Sequence, residues 1–320
     1  MLTVRNLKTT FQVEKNKILK AVDGVDIDIQ KNEVLGLVGE SGCGKSVASL
    51  SILRLVGSKG RVSADRLEWQ GKNLLALSEE QLRGIRGKEI SMIFQNPQAS
   101  LNPVYTAGNQ LIETIQLHQG LDKNNARAKA LELFKEVNIS DPERRLQQYP
   151  HEFSGGMAQR VMIAMALCSE PDLLIADEPT ASLDVTIQAQ IMKLLLELKA
   201  RRGMSILMIS HDMGVIAQMC DRIAVMYLGR IVELADAKTL FENPRHPYTR
   251  ALLKSIPKPS PAQRGELKTL PGDIPSPIDL PLGCRFAGRC EFARNACLQA
   301  DPVLETHGTS QVACVRAEEI

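Results

Sequence analysis

Short apolar runs alternate with longer stretches of helical period over most of the first 235 residues. Val34-Leu35-Gly36-Leu37-Val38 has the length and character of a buried strand, and Val47 to Leu55 behind it reads as a helix. The pattern returns later. Asp172-Leu173-Leu174-Ile175-Ala176-Asp177 and Met204-Ser205-Ile206-Leu207-Met208-Ile209-Ser210 predict two more buried strands, with a helix from Gln188 to Leu198 between them. Ala21 to Ile29 alternates apolar and acidic residues, which predicts a strand with one exposed face, and roughly 1–90 reads as strands joined by short turns. Between 97 and 150 the texture is helical, with amphipathic segments at Leu111–Gln119 and Ala126–Val137 set between polar loops. Strands alternating with helices predict an α/β fold around a mainly parallel sheet. Beyond about 235, Pro244, Pro247, Pro257, Pro259, Pro261, Pro271, Pro275, Pro277 and Pro281 predict a loop-rich C-terminal extension.

Composition narrows this little. The 320 residues suit about two domains. With 44% hydrophobic residues, 24% charged and a net charge of +2, the chain has the balance of a soluble globular protein, without the basic field of a nucleic-acid binder. No apolar run approaches the roughly 18–20 residues of a membrane span, and the first residues carry no secretory apolar region. The expectation is a cytosolic chain that meets a membrane through a partner. Of the seven cysteines, Cys43, Cys168 and Cys220 are scattered, whereas Cys284, Cys290, Cys297 and Cys314 crowd the last 40 residues. A cytosolic chain rarely keeps structural disulfides, so the late group points to metal.

The chemistry starts at Gly39-Glu40-Ser41-Gly42-Cys43-Gly44-Lys45-Ser46, a G-x-x-x-x-G-K-S phosphate-binding loop set between a strand and a helix. Its glycines let consecutive backbone amides curl into an anion nest, and the following helix aims its positive end at the phosphates. Lys45 is the residue for the β- and γ-phosphates and Ser46 for Mg²⁺. Asp177-Glu178 closes an apolar strand; on its own this is as easily an acidic helix cap, but beside a P-loop it reads as a Mg²⁺ ligand followed by a base for the attacking water. Ser154-Gly155-Gly156, in Phe153 to Arg160, opens directly into a helix and forms a second anion-seeking N-terminus. A simple serine cap reads the same way; the phosphates of a partner's ATP give the loop a purpose.

With these motifs assembled, the chain resembles the nucleotide-binding subunits of ATP-binding-cassette transporters. The resemblance implies an ATPase of the translocase class with a RecA-like P-loop core, a helical subdomain and a small C-terminal metal or cluster domain. It makes Ser154-Gly155-Gly156 the signature loop, Asp177 and Glu178 the Walker B aspartate and catalytic glutamate, and Gln95 the Q-loop glutamine that contacts Mg²⁺. It also makes Ala181-Ser182-Leu183-Asp184 the D-loop and His211 the switch histidine on the γ-phosphate. Phe11 is the candidate for stacking on adenine, with core packing as the alternative. The signature departs from the common Leu-Ser-Gly-Gly-Gln at its ends, where Phe153 and Met157 stand. The motifs imply a core at 1–95 and 160–235, a helical subdomain at 96–159 and an extension at 236–320.

Narrower stretches, Gln95 to Pro103, Gly156 to Leu167, Leu183 to Ile191 and Pro244 to Leu253, resemble the dipeptide and oligopeptide importer branch, most closely the dipeptide importer's ATPase of the first, iron–sulfur-carrying type. That implies a second, non-identical ATPase subunit, two transmembrane permease subunits and an extracytoplasmic peptide-binding protein, with the chain peripheral on the cytoplasmic face of the inner membrane. Relatives in the branch also serve nickel, antimicrobial peptides, sugars or opines. A soluble cassette protein of repair or translation is the rival reading, disfavoured by the single cassette. The cysteine spacing fits neither a C-x₂-C zinc knuckle nor a ferredoxin run, so zinc and a cluster both stand, with free thiols behind them. The resemblance tips the balance to a [4Fe-4S] cluster on Cys284, Cys290, Cys297 and Cys314.

Overall fold

The structure is a computed structural model that describes residues 1–14, 17–181, 183–256 and 272–320. Pro257, Pro259, Pro261 and Pro271 of the extension and Ser182 of the D-loop lie outside the described residues. By packing, the chain divides into two compact units. One comprises Met1–Gln30, Val34–Ala76 and Ile209–Ile320; the other comprises Lys31–Glu33 and Leu77–Met208.

The first unit holds an antiparallel sheet with strand order Lys17–Ile29, Leu2–Glu14, Arg66–Trp69, Lys72–Asn73, and Gly60–Ser63 also pairs with Leu2–Glu14. The two long strands pair from Leu2 opposite Ile29 to Glu14 opposite Lys17. So short a connection permits only antiparallel pairing, which keeps these strands out of the parallel sheet that the alternation of elements predicts. Leu2, Val4, Leu7, Val22, Val25, Ile27 and Ile29 are buried, the period-two face expected of Ala21–Ile29. A second sheet in this unit runs Glu305–His307, Ser310–Val312, Arg230–Asp236, Arg222–Tyr227, Val34–Val38. Its parallel pair sets Arg222 opposite Leu35 and Val225 opposite Val38. Every residue of Val34–Val38 is buried. A Cβ at Gly36 would stand 2.9 Å from Cys220 Sγ, so the helix Met213–Met219 rides close over that strand.

In the second unit, Ile90–Ile93 pairs in parallel with Leu173–Asp177, and Ser205–Ser210 follows in the strand order. The helices Ala107–Gln119 and Lys123–Glu136 form a hairpin, capped by Thr106 and Asp122 at their N-termini and turned at Gly120 in the left-handed conformation. Gly155–Leu167 and Val185–Arg202 bury their apolar faces in the same unit.

The strands expected at 34–38, 172–177 and 204–210 fall within a residue of those observed, whereas the one expected from Ala21 begins four residues earlier, at Lys17. The extension is more structured than its prolines suggest. Asp236 caps a helix Ala237–Glu242, and Pro247 begins a helix Pro247–Lys254. Proline is at home there because the first helical N–H has no intrahelical acceptor to lose. Ser310–Val312 then adds a strand to Arg230–Asp236. Among the described residues no helix is long and apolar enough to cross a membrane.

Candidate functional site

The loop Gly39–Gly44 leaves the buried strand Val34–Val38 and runs into the helix Lys45–Ile52. Two glycines are dictated by space as well as by backbone angle. Gly44 has φ +108° and a Cβ there would stand 2.2 Å from Ala21 O; Gly39 has φ +155° and a Cβ 2.2 Å from Met226 O. Lys45 is buried, and its ammonium donates to Gly39 O at 2.8 Å and Glu40 O at 3.0 Å, so the loop closes over its own lysine. Cys43 is buried beneath the loop and its thiol is pushed up by that burial, partly offset by Lys45. Ser41 and Gly42 form the exposed crest, and Ser46 is half-buried at the start of the helix.

Glu40 is held from outside the motif. Its backbone N–H donates to Tyr248 Oη at 2.8 Å, and Arg289 donates to both carboxylate oxygens, at 2.7 and 3.0 Å. Neither partner was legible from motif spacing. Phe11 lies half-buried on Leu2–Glu14, opposite Leu19 and Gly60, with its Cε1 2.9 Å from where a Gly60 Cβ would be. His211 is exposed at the end of Ser205–Ser210.

In the second unit, Asp177 is the last residue of the fully buried strand Leu173–Asp177. Glu178 follows in the left-handed region, φ +46°, which turns its carboxylate off the strand line. Gln95 Nε2 donates to Glu178 Oε2 at 2.9 Å. Gln95 and Glu178, both candidate site residues, are thus a hydrogen-bonded pair that nothing in the spacing anticipated. Ser154 caps the helix Gly155–Leu167, its Oγ accepting from Met157 N–H. Asp184 caps Val185–Arg202, accepting from Ile187 N–H at 3.0 Å. Ser154, Gly155, Gly156, Arg160, Asp184 and Ile187 line one cavity of about 400 Å³, in the size range of small-ligand sites. Gly156 lets its helix approach Ile187 closely, since a Cβ there would meet Ile187 Cγ2 at 2.7 Å. Arg160, given no role by the sequence reading, is anchored by donating to Val137 O at 2.7 Å, and burial lowers its guanidinium below the ordinary value.

Cys284, Cys290, Cys297 and Cys314 all line another cavity, beside Phe286 and Phe292. All four are free thiols. Tight turns wrap them: Cys284 N–H donates to Cys297 O, Ala287 N–H to Cys284 O, Ala293 N–H to Cys290 O and Ala317 N–H to Cys314 O. Burial pushes Cys284 up to about 11, and Cys314 and Cys297 add to the shift. Among the described residues no three His, Cys, Asp or Glu side chains stand close enough to hold a metal ion.

Residues 22–181 match the family model described as ABC transporter, and 232–297 match the one described as oligopeptide/dipeptide transporter, C-terminal region. The chain is 49% identical to a probable peptide ABC transporter ATP-binding protein of Sinorhizobium fredii, covering 100% of this chain and 96% of that one. It is 47% identical to the dipeptide transport ATP-binding protein of Escherichia coli, over 95% of this chain and 92% of that one. Among solved structures it resembles a dimeric ATP-binding cassette in a post-hydrolysis state bound to ADP and phosphate, at TM-score 0.64 and 29% identity, over 74% of this chain and 99% of the other.

Proposed function

The chain belongs to the ABC transporter family, and from that premise we propose that it is the ATP-hydrolysing subunit that powers import of di- and oligopeptides. The observation that carries the hydrolytic reading is Glu178, a carboxylate turned off the end of a buried strand and hydrogen-bonded by Gln95, in a chain that also holds an intact P-loop. The peptide cargo is supported by the match of 232–297 to the peptide-transporter C-terminal region and by near-half identity to peptide and dipeptide transport proteins.

On this reading Lys45 and the backbone amides of residues 39–46 bind the β- and γ-phosphates. Ser46, Asp177 and Gln95 are the residues that would hold Mg²⁺, which when bound neutralises charge on the phosphate oxygens. Their hydroxyl, carboxylate and amide oxygens suit that hard cation. Glu178 takes the proton of the attacking water, and Gln95 orients its carboxylate. His211 contacts the γ-phosphate, and Phe11 stacks on adenine. Ser154, Gly155, Gly156 and Asp184 meet the γ-phosphate on a companion's P-loop, so the cavity they line is completed by a second ATPase subunit. Glu178→Gln should keep nucleotide binding and lose hydrolysis by about 10²–10⁴-fold; turnover at the native rate ends the assignment.

The three-part division into 1–95 with 160–235, 96–159 and 236–320 follows from the same reading. Cys284, Cys290, Cys297 and Cys314 are read as ligands of a [4Fe-4S] cluster in the last part. Four thiols lining one cavity supply an all-sulfur donor set that suits iron–sulfur chemistry, with zinc as the alternative. Iron and sulfide assays on anaerobically purified protein separate the two, and stoichiometric zinc without sulfide overturns the cluster. The chain would work on the cytoplasmic face of the inner membrane with two permease subunits and an extracytoplasmic peptide-binding protein. Co-purification with permease subunits tests this, and uptake assays with labelled dipeptides, oligopeptides and nickel test the cargo. Uptake of nickel alone would replace the peptide reading.

A further inference from the structure

Glu40 is gripped at all three of its polar groups. Its N–H reaches Tyr248 Oη, its carbonyl accepts from Lys45, and its carboxylate takes a two-pronged hydrogen bond from Arg289. Arg289 and Tyr248 both come from the C-terminal extension, more than 200 residues away in sequence. The ion pair is sheltered, with the Arg289 side chain only 5% exposed and that of Glu40 23%. Tyr227, Tyr248 and Phe286 pack edge and face against one another at 4.7–5.3 Å between ring centroids, and the Arg289 guanidinium lies 5.9 Å from the Tyr227 ring and 6.0 Å from Phe286. An arginine so packed and forked is pre-organised for one carboxylate.

A second prong starts four residues earlier. Arg285, also buried, donates to Leu228 O and to the Asp23 carboxylate. The adjoining Gly229 N–H donates to Cys43 O of the P-loop at 2.8 Å. The two arginines are chain neighbours of two cysteines, in the order Cys284-Arg285 and Arg289-Cys290. Segment 284–290 therefore lines the four-cysteine cavity with its two end cysteines and reaches the P-loop through Arg289, while Arg285 holds Leu228 and Asp23 beside it.

Charge gives this arrangement a purpose. A free carboxylate inside a loop that must receive a polyphosphate repels its own ligand, and within a few ångströms of a partly buried site salt screens that repulsion poorly. The geometry points to Arg289 as a positioning residue of the P-loop: it neutralises and fixes Glu40, so that affinity for the nucleotide's phosphates depends on the four-cysteine extension being folded. This rests on the ATP-binding reading of the loop. By linkage the dependence runs both ways, so bound nucleotide should in turn stabilise the extension.

The test is nucleotide affinity of the full chain, measured with Mg-ATP and ADP by calorimetry, for Arg289→Gln, Glu40→Gln and the double variant, each checked for a cooperative melt. Arg289→Gln should weaken binding about 10-fold or more, the factor that corresponds to about 1.4 kcal/mol. The double variant should recover to within about 3-fold of the native chain, because the repelling carboxylate is gone; a purely structural loss would not be rescued. Cys314→Ser, which lies in the cysteine cavity and has no place in the P-loop, should weaken binding as well. Native affinity in Arg289→Gln overturns the proposal, as does a double variant no better than Arg289→Gln, or native affinity in a Cys314→Ser chain whose extension has lost its protection from hydrogen exchange. Failure of the native chain itself to bind Mg-ATP would instead sink the ATPase reading.

Discussion

The P-loop and the signature loop are both anion-seeking turns ahead of a helix, yet they are finished differently. The P-loop is closed by its own chain. Lys45 is seated on two loop carbonyls, Gly39 and Gly44 lie against the backbone of neighbouring strands, and Glu40 is clasped by Arg289 and Tyr248. The signature loop is left open. Ser154 stands exposed at the rim of a 400 Å³ cavity, and Val185 on the helix behind Asp184 is 83% exposed. The difference matches the roles proposed for them: one loop is held in place by its own chain, as a loop that binds its ligand alone needs, and the other is left open, as a loop that meets a ligand on another molecule needs.

The comparison can be broken most severely at Gly44. Gly44→Ala forces a side chain into the left-handed region and against Ala21 O, so it should cost at least about 1–3 kcal/mol from strain alone. Nucleotide binding should be lost and the melting temperature should fall; an unchanged melt would mean the loop is not fixed as described. Ser154→Ala should act on the other side of the comparison. Nucleotide affinity of this chain should stay native while hydrolysis by the assembled transporter falls by about 10²-fold, the usual cost of removing one preorganised donor. Equal losses of binding and turnover would erase the distinction between the two loops.

Acid should loosen the P-loop's support before the signature loop. His246 is buried, and burial lowers its imidazole to about 3. Its Nδ1 accepts from Tyr248 N–H at 3.1 Å, so the neutral ring steadies the tyrosine that holds Glu40. Between pH about 3 and the ordinary value near 6.5 the unfolded chain binds a proton that the folded chain refuses. This residue's contribution is therefore complete above pH ~6.5 and declines by up to about 1.4 kcal/mol per unit as pH falls toward 3. Hydrogen exchange at pH 7 and pH 5 should show residues 39–46 losing protection first; loss led by 154–160 would contradict it. Asp184→Ala should have the smallest effect, about 1 kcal/mol for a lost helix cap, visible as a modest drop in melting temperature with nucleotide affinity unchanged.

Much of this was readable from residue order. The strand and helix around the P-loop, the strand before Asp177-Glu178 and the cap at Ser154 all show in patterns a few residues long, because burial and capping act over one or two turns. The same locality hides which sheet a strand joins: alternation alone says nothing of the hairpin within residues 1–30, which builds an antiparallel sheet of its own. The prolines predict a loop-rich extension, and within it only packing reveals that Pro247 begins a helix and that Ser310–Val312 extends a sheet.

The amino-acid sequence by itself determined the phosphate loop, the carboxylate pair, the signature turn and the four late cysteines, because each is a short run of residue types with one chemistry. Tertiary structure alone decided which carboxylate Gln95 holds, that Ser154 and Asp184 share a cavity, that the four thiols line one pocket and that Arg289 and Tyr248 reach back to Glu40. Those pairings span tens to hundreds of residues. No local preference encodes them; they exist because burying the apolar faces brings distant segments together, and the polar groups carried along must then find partners.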